Sequence, residues 1–399
     1  MTSRVVLFTG KGGVGKTTMA AATAARVAAS GRKTLVLSTD PAHSLADALG
    51  APVASQPSEL APGLFVSHVD AQGRLDDVWG ELQNYLVSAL GASGLDSVRA
   101  EELTVLPGAE ELLALLEVRE QAVSGRWDAV IVDCAPTGET LRLLTLPEVL
   151  DWYLRRALPA EAKVVRALRP LLGSATGLPA PRAEVWEAAE RLQAQLLQVQ
   201  QVLRSDQTSV RLVLTPESVV LAESRRSLTQ LALYGYRVDG VIANKVFEAG
   251  GDPWRSRWVE SQAAVLAEVR DSFEPLPVMV ANYLDAEPVG ADALGRIGAA
   301  VYGTSDPLEG DGGDELMSVW RDGSDYVMAL ALPLIDKATL ELSRIGEELV
   351  VNVAGRRRVF VLPSVLRRCE VAGASMEGSQ LRIRFQPGID TVPAPRAHP

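Results

Sequence analysis

GKGGVGKTT, residues 10–18, is the stretch that decides the fold class. Gly10, Gly15, Lys16 and Thr17 match the phosphate-loop pattern G-x-x-x-x-G-K-[ST]. The glycines let the backbone curl until several N–H groups point at one phosphate. Lys16 brings a positive charge to the β- and γ-phosphates, and the Thr17 hydroxyl is an oxygen ligand for Mg²⁺. The stretch therefore predicts a site for ATP and Mg²⁺.

The residues on either side of this loop suit a strand–loop–helix unit. Residues 5–8 are an apolar run typical of a buried strand, and residues 19–29 are alanine-rich and predict a helix. The N-terminus of that helix faces the loop and favours an anion there. The predicted nucleotide-binding residues are Gly10, Lys11, Gly12, Gly13, Val14, Gly15, Lys16, Thr17 and Thr18.

Three further polar residues stand at the ends of predicted strands. Asp40 follows residues 34–39, and Asp133 follows residues 127–132. Asp40 at such a place orients the attacking water, holds Mg²⁺ through water, or caps the next helix, and the residues alone leave these choices open. Asp133 is typical of the carboxylate that supports Mg²⁺ in phosphate-loop ATPases. Asn244 follows a later apolar run, and its amide suits the edge of adenine.

Predicted strands alternate with helices over residues 1–302, which predicts an α/β fold with a mostly parallel sheet. The predicted strands are residues 5–8, 34–39, 64–69, 127–132, 210–214, 238–243 and 277–280. Residues 151–205 interrupt the alternation and predict a long helical insertion. Apolar residues recur there at spacings of four and three, at Val185, Ala189, Leu192, Leu196, Val199 and Leu203. This stripe forms either a groove for an apolar partner or plain core.

The pattern changes near the C-terminus. Residues 303–313 read as a linker from their composition. Residues 314–387 contain runs in which apolar residues alternate with period two, separated by turns at Ala354-Gly355 and Gly378-Ser379. We predict a small antiparallel β-sandwich there, followed by a proline-rich flexible tail at 388–399.

Composition excludes several classes of protein. The hydrophobic content of 47% and charged content of 22% are ordinary for a globular protein. The net charge of −11 argues against nucleic acid as a partner. No apolar run approaches the roughly 18 residues of a membrane helix, and no secretory leader precedes the first strand. Cys134 and Cys369 are too few for a disulfide framework or a zinc site of four thiolates. We expect a cytoplasmic protein without membrane insertion or zinc.

Three motifs in order resemble one family. GKGGVGKTT, STDPAHSLAD (residues 38–47) and DCAPTGETLRLL (residues 133–144) resemble the ArsA ATPases, which include arsenical-pump ATPases and the targeting ATPase of the guided entry of tail-anchored proteins. The resemblance covers about residues 1–302 and implies a SIMIBI-type phosphate-loop fold. It also implies a homodimer that closes around two ATP molecules.

The resemblance implies roles for individual residues. Lys11 marks the deviant form of the phosphate loop and would reach across the dimer to the other subunit's nucleotide. Asp40 would position the hydrolytic water, so that Asp40, Lys11 and Lys16 form the catalytic set. Asp133 would lie in the second switch, and Asn244 would contact adenine.

The remaining parts of the chain fit the same family with departures. The helical insertion falls where targeting relatives carry an apolar client groove. Residues 314–387 resemble an α-crystallin (small heat-shock) domain. The chain has one nucleotide-binding half, no C-x-x-C pair for a dimer zinc, and Glu139 where many relatives have histidine.

The resemblance implies an ATPase whose dimer opens and closes to bind or release an apolar polypeptide client, in targeting or as a chaperone. The alternative is a non-catalytic holdase that acts through the β-sandwich and is stabilised by nucleotide. An arsenite-pump ATPase and a ParA/MinD-like positioning ATPase are further alternatives.

Overall fold

The computed structural model describes residues 2–40, 44–70, 109–138, 140–142, 144–146, 183–310 and 316–387. The chain divides into two compact units. The first comprises Met1–Ser224 and Asp239–Asp311, and the second Arg225–Val238 and Gly312–Pro399. The second unit thus includes residues 225–238, which lie within the range 1–302 of the predicted α/β fold. The predicted tail at 388–399, the first part of the insertion at 151–182 and Glu139 lie outside the described residues.

The first unit is built on an eight-stranded sheet with the order β3-β4-β2-β5-β1-β6-β7-β8. Its strands are β1 (Arg4–Thr9), β2 (Thr34–Ser38), β3 (Ser58–Ala61), β4 (Leu64–His68), β5 (Ala129–Asp133), β6 (Thr208–Leu214), β7 (Val238–Val246) and β8 (Val278–Asn282). The pairs β1–β5, β1–β6, β2–β4, β2–β5 and β7–β8 are parallel, and β3 is antiparallel to β4. The α/β fold with a mostly parallel sheet is confirmed. The central strands are continuous apolar runs because helices cover both of their faces.

Helices occupy the connections between these strands. They are α1 (Lys16–Ala29), α2 (Ser44–Leu49), α3 (Ala109–Val123), α4 (Ala183–Leu203), α5 (Ser218–Leu233), α6 (Pro253–Phe273) and α7 (Ala291–Tyr302). The small residues of α1 let α7 approach closely. A Cβ atom on Gly298 of α7 would lie 2.4 Å from the Ala22 carbonyl oxygen. This contact braces the helix that begins at the phosphate loop.

The apolar stripe of α4 is largely core. Leu192, Leu196, Val199 and Leu203 are all buried, and α4 packs against α3. For these four residues the core interpretation of the stripe is therefore correct. The side chains of Val185 and Ala189 are not among those described.

A buried ionic network joins the strands on one side of the sheet. Both Arg211 on β6 and Asp239 on β7 are inaccessible, and the Arg211 Nη2 atom lies 2.8 Å from the Asp239 Oδ2 atom. Arg4 and Ser209 also donate to Asp239, at 3.1 and 2.6 Å. The Tyr302 hydroxyl accepts a hydrogen bond from Arg211 Nη1 at 3.0 Å. Two cations and a hydroxyl thus neutralise and satisfy one buried carboxylate, which is the condition for tolerating a charge in the core.

The second unit contains an antiparallel sandwich of a four-stranded sheet, β14-β15-β10-β9, and a three-stranded sheet, β11-β12-β13. Its elements are β9 (Met317–Asp322), β10 (Asp325–Ala331), β11 (Leu340–Ile345), β12 (Glu348–Val353), β13 (Arg356–Val361), α8 (Ser364–Arg367), β14 (Cys369–Glu377) and β15 (Gln380–Pro387). The predicted all-β fold is confirmed, and the predicted turns join β12 to β13 and β14 to β15.

The sandwich core also contains a residue from outside the predicted domain. Leu233, at the end of α5, is buried in the cluster that includes Met328, Val351 and Ile383. The Thr229 hydroxyl, one turn earlier, donates to the Pro333 carbonyl at 2.7 Å. These contacts explain why residues 225–238 belong to the second unit. In the part of the chain that the structure describes, none of the helices has the length and hydropathy of a membrane span.

Candidate functional site

The phosphate loop connects β1 to α1, and its shape requires glycine at two places. A Cβ atom on Gly10 would lie 2.0 Å from the Val213 carbonyl oxygen of β6. Gly15 has a φ of 93°, and a Cβ atom there would lie 2.3 Å from the Asn244 Nδ2 atom. Any side chain at either position would push the loop away from β6 or β7. The glycines of the motif therefore fix where the loop lies as well as how it curls.

Two neighbouring residues at the end of β7 hold the loop in place. Asn244 is buried, and its Nδ2 atom donates to the Val14 carbonyl at 2.8 Å. The Lys245 Nζ atom donates to the Gly13 carbonyl, also at 2.8 Å. Consecutive side chains on a regular strand point to opposite faces. Here both reach the loop because the β7–β8 register shifts between Ala243 and Val246, and Lys245 has a φ of 58°.

Asn244 is the residue that the sequence predicts for adenine, and Lys245 was not predicted as part of the site. The contact of Asn244 with adenine stays a prediction, since its described hydrogen bond is to the loop itself. The available signal for Lys245 was a lysine beside a polar residue at the carboxyl end of a strand. Its side chain adds a positive charge close to the loop.

The two lysines of the motif differ in environment. Lys16 is buried, and its Nζ atom donates to the Lys11 carbonyl at 3.5 Å. This contact keeps the ammonium of Lys16 inside the curve of the loop, where a phosphate would lie. Lys11 is half-buried. Its predicted action on a second subunit stays a prediction.

Asp133, at the end of β5, is completely buried. Burial raises its pKa to about 7, and the hydroxyl of Thr17 offsets part of that shift. The negative charge of Asp40 raises the pKa further, and the positive charge of Lys16 lowers it. Among the described residues, none donates a hydrogen bond of ordinary geometry to either carboxylate oxygen. A buried carboxylate that receives no such hydrogen bond is a suitable ligand for a bound cation.

The oxygen atoms around Asp133 fit Mg²⁺. The Thr17 Oγ1 atom lies 3.1 Å from the Ser44 hydroxyl, which in turn donates to the Asp40 Oδ2 atom at 3.4 Å. Hydroxyl and carboxylate oxygens are the ligands that Mg²⁺ prefers. Thr17, Asp133 and Asp40 therefore present a suitable set of oxygens beside the phosphate loop. Ser44 was missed, although it lies inside the STDPAHSLAD motif.

The segment after β5 is attached directly to the phosphate loop. The Thr137 N–H donates to the Gly10 carbonyl at 3.1 Å, and the Cys134 N–H donates to the Phe8 carbonyl at 3.1 Å. On the other side of β5, the Thr39 N–H donates to the Asp133 carbonyl at 2.9 Å. Through these hydrogen bonds, a change at the phosphates can move both the segment that follows β2 and the segment that follows β5. Burial raises the pKa of the Cys134 thiol, which keeps it protonated.

Asp133→Asn should stabilise the nucleotide-free protein at high pH. The folded-state pKa of about 7 exceeds the ordinary value of 3.8. The native state therefore binds an extra proton between these values, and its stability falls as pH rises from about 4 to about 7. The asparagine variant does not lose stability in this way. The difference in melting temperature, variant minus parent, should therefore be larger at pH 8 than at pH 5. Exposed Asp271→Asn is the control. Equal pH dependence in Asp133→Asn and the parent would contradict the assignment.

Comparison with known proteins supports the same interpretation. Residues 3–303 match the ArsA family model described as an anion-transporting ATPase, and residues 323–385 match an HSP20-like domain found in ArsA proteins. A "Putative arsenical pump-driving ATPase" of Chlorobaculum tepidum is 34% identical over 387 residues, which cover 96% of each chain. Protein Rv2184c of Mycobacterium tuberculosis is 36% identical over 98% of each chain.

A second kind of relative matches over a shorter range. ATPase GET3 of Podospora anserina is 31% identical over 291 residues, which cover 69% of this chain and 85% of the relative. The phosphate loop, the strand-end aspartates and these matches agree. The chain belongs to the ArsA family and is an ATPase, with an HSP20-like domain near its C-terminus.

Proposed function

We propose that this ATPase requires Mg²⁺ and uses nucleotide-driven opening and closing of a homodimer to bind or release an apolar polypeptide client. This is an activity of the tail-anchored-protein-targeting or chaperone type, and it would take place in the cytoplasm. The observation that carries the nucleotide part is the buried Asp133 carboxylate, to which no residue in the described part of the chain donates a hydrogen bond of ordinary geometry. It lies beside a phosphate loop that is held by hydrogen bonds at Gly13 and Val14.

The residues of the site have separable roles in this proposal. Lys16 contacts the β- and γ-phosphates, and the loop N–H groups hold their oxygens. Thr17 and Asp133 would hold Mg²⁺, which would neutralise charge on the phosphates. Asp40 orients the attacking water. Lys11 extends to the nucleotide of the second copy.

The hydrogen bond from Thr137 to Gly10 makes the segment after β5 sensitive to the phosphates. Loss of the γ-phosphate shifts the loop, and the segment that follows Asp133 moves with it. Rearrangement of a segment that contacts the phosphates is a common way for nucleotide hydrolysis to alter a binding surface.

A polypeptide client is favoured over a metalloid. The whole chain contains Cys134 and Cys369 as its two cysteines, and both are buried. Burial keeps the Cys134 thiol protonated, whereas a soft metalloid ion binds thiolates. The two cysteines also belong to different compact units. The chemistry of the chain therefore lacks the thiolate cluster that arsenite requires.

Asp40→Asn tests the proposed cycle. The variant should bind ATP like the parent but hydrolyse it about 100-fold more slowly or worse, because the amide cannot accept a proton from water. It should then hold a fluorescent apolar peptide of about 20 residues more tightly in ATP than in ADP, as measured by anisotropy. Asp47→Asn, an exposed aspartate in the same motif, is the matched control and should behave like the parent.

Two outcomes would contradict or redirect the proposal. Hydrolysis by Asp40→Asn at the parental rate would remove Asp40 from the mechanism. Peptide binding that is equal in ATP, in ADP and without nucleotide would favour the second candidate, a holdase that acts through the HSP20-like domain. The match of residues 323–385 to that domain is the observation that keeps this candidate open.

A further inference from the structure

Lys245 has an unusual backbone conformation near the end of β7. Its φ is 58°, a left-handed value that costs free energy in most residues other than glycine. In the described part of the chain, the other non-glycine residues with a positive φ are Leu334 and Ala354. Both of these lie between strands, where the chain turns, whereas Lys245 lies within a strand. Strain of this kind persists only where neighbouring contacts hold it, and it clusters at functional sites.

A buried glutamine of α6 holds this strained segment. The Gln262 Nε2 atom donates to the Lys245 carbonyl at 3.1 Å, and the Gln262 Oε1 atom accepts a hydrogen bond from the Phe247 N–H at 2.7 Å. The pairing of β7 with β8 is irregular between Ala243 and Val246, so the main chain there needs partners outside the regular ladder. One side chain thus fixes the backbone on both sides of Val246.

The strained backbone directs the Lys245 side chain to the phosphate loop. The Lys245 Nζ atom donates to the Gly13 carbonyl, and the Asn244 Nδ2 atom donates to the next carbonyl, that of Val14, both at 2.8 Å. Two consecutive peptide groups of the loop are therefore each held by one side chain. In a trans peptide the N–H points the opposite way from the carbonyl. The N–H groups of Val14 and Gly15 consequently point away from the two side chains.

These two N–H groups are available to bind an anion. None of the described residues accepts a hydrogen bond from the Val14 or the Gly15 N–H. Backbone N–H groups that point the same way at the start of a helix form a site for phosphate. Rotation of either peptide group would turn a carbonyl oxygen towards the phosphate, which would repel it. The Lys245 hydrogen bond opposes that rotation more strongly than a neutral one, because its donor is charged.

We propose that Lys245 is a positioning residue for phosphate binding and that Gln262 holds it in place. Lys245 does not contact the nucleotide in this proposal. Its ammonium binds the carbonyl of the Gly13–Val14 peptide and keeps the Val14 N–H directed at the β-phosphate oxygens. The inference concerns the ATPase activity alone and does not depend on the dimer or the client proposed above.

A positioning role of this kind has its own kinetic signature. ATP and ADP share the β-phosphate, and the loop N–H groups bind it before and during the reaction. Loss of the Lys245 ammonium therefore removes binding that the ground state and the transition state share, which raises KM and leaves kcat nearly unchanged. A substitution that only destabilised the fold would lower the fraction of active protein. It would lower the apparent kcat and leave KM unchanged.

Lys245→Met tests this signature, because methionine is of similar length and lacks the charge. The KM for ATP and the Kd for ADP should each rise about tenfold, as expected for the loss of a charge-assisted hydrogen bond. Steady-state phosphate release and calorimetric titration with ADP and Mg²⁺ measure the two constants. Lys245→Arg keeps a charged donor and should bind ADP nearly as tightly as the parent.

Lys245→Gly separates phosphate binding from stability. Glycine adopts a φ of 58° without strain, so the relief of strain offsets the lost hydrogen bond. The melting temperature of the nucleotide-free variant should therefore not fall below that of the parent, whereas its affinity for ADP should still fall about tenfold. Ala354→Gly is the matched control, because Ala354 has a φ of 49° in the second unit. It should leave the affinity for ADP unchanged.

Gln262→Met tests the supporting contact. It removes both hydrogen bonds to the strained segment and keeps a side chain of similar length. The variant should weaken ADP binding although Gln262 has no described contact with the loop. Combined with Lys245→Met it should add little, because Gln262 acts through Lys245. The fold-change in Kd of the double variant should thus be smaller than the product of the two single fold-changes.

Three results would overturn the inference. One is an unchanged affinity for ADP in Lys245→Met. Another is a lowered kcat at the parental KM in that variant, which would make the role of Lys245 merely structural. The third is a double variant whose fold-change equals the product of the single ones, which would separate Gln262 from Lys245. Failure of the chain to dimerise or to bind an apolar peptide would contradict the proposed function and leave this inference intact.

Discussion

Lys16→Ala should lower ATP turnover about a thousandfold. Lys16 is the buried cation of the phosphate loop, and its Nζ atom is held inside the curve of the loop by the Lys11 carbonyl. Charge that develops on the transferred phosphoryl group is stabilised by such a pre-positioned cation in a site that excludes water. Removal of one group of this kind costs about 100- to 1000-fold in kcat, and Lys16 also binds the ground-state nucleotide.

The comparison with Lys11→Ala makes the prediction specific. Lys11 is half-buried, and the proposal assigns it to the nucleotide of the second copy, so its loss should leave the binding of ATP to a single subunit nearly unchanged. Its turnover should fall because the dimer does not close correctly. Steady-state phosphate release and fluorescent-nucleotide binding measure the two effects separately. Exposed Lys337→Ala in the second unit is the control. Parental turnover in Lys16→Ala would contradict the assigned chemistry.

Asp239→Asn should destabilise the first unit by about 3–5 kcal/mol, because it leaves the buried Arg211 guanidinium without its counter-charge. Arg211 is 2% exposed and makes two hydrogen bonds to the Asp239 carboxylate, at 3.0 and 2.8 Å. Arg4 would lose its ion pair with Asp239 in the same step. For a chain of this size the melting temperature should fall by roughly 10 °C.

The same substitution at a partly exposed ion pair is the matched control. Arg32 and Asp306 are paired at 2.6 Å, with about a third of each side chain exposed. The Arg32 hydrogen bonds lower the pKa of Asp306, but solvent screens the pair. Asp306→Asn should therefore cost less than about 1 kcal/mol. If urea unfolding gives equal losses for the two variants, the buried network does not have the role assigned to it.

The sequence was sufficient to locate the nucleotide site because the relevant strands are apolar on both faces. Such strands are conspicuous, and their carboxyl ends must meet at one edge of a parallel sheet. Asp40 and Asp133 could be placed beside the phosphate loop for that reason. The edge strand β3 (Ser58–Ala61) could not be predicted, because it is short, none of its residues is buried and it carries no apolar pattern.

Other features depend on irregular geometry that a residue pattern does not encode. Asn244 and Lys245 both donate hydrogen bonds to the phosphate loop because of the register shift at the end of β7. In the sandwich, the turn at Gly378-Ser379 was predicted, but the bulge between Val371 and Gly373 in the preceding strand β14 was not. The apolar stripe on α4 would look the same in sequence whether it faced the core or a client. Only the observed packing of α4 against α3 could assign its buried residues to the core, namely Leu192, Leu196, Val199 and Leu203.

Four aromatic side chains, Phe247, Trp254, Trp258 and Tyr283, show the same limit in the packing of distant residues. Trp254 and Trp258 come from one helix, whereas Phe247 and Tyr283 follow two different strands. Nothing in the local sequence indicates that these residues meet. Their proximity arises from the parallel pairing of β7 with β8.

Mixing of the Lys11→Ala and Lys16→Ala proteins tests most directly the proposal that two copies share their lysines. Each variant alone should be nearly inactive. In a mixed dimer, the site on the Lys11→Ala subunit has its own Lys16 and receives Lys11 from the other subunit, so it should be active. Random pairing at equal concentrations gives about a quarter of the parental turnover, because half of the dimers are mixed and each has one active site. Turnover no higher than the sum of the separate variants would contradict the shared site.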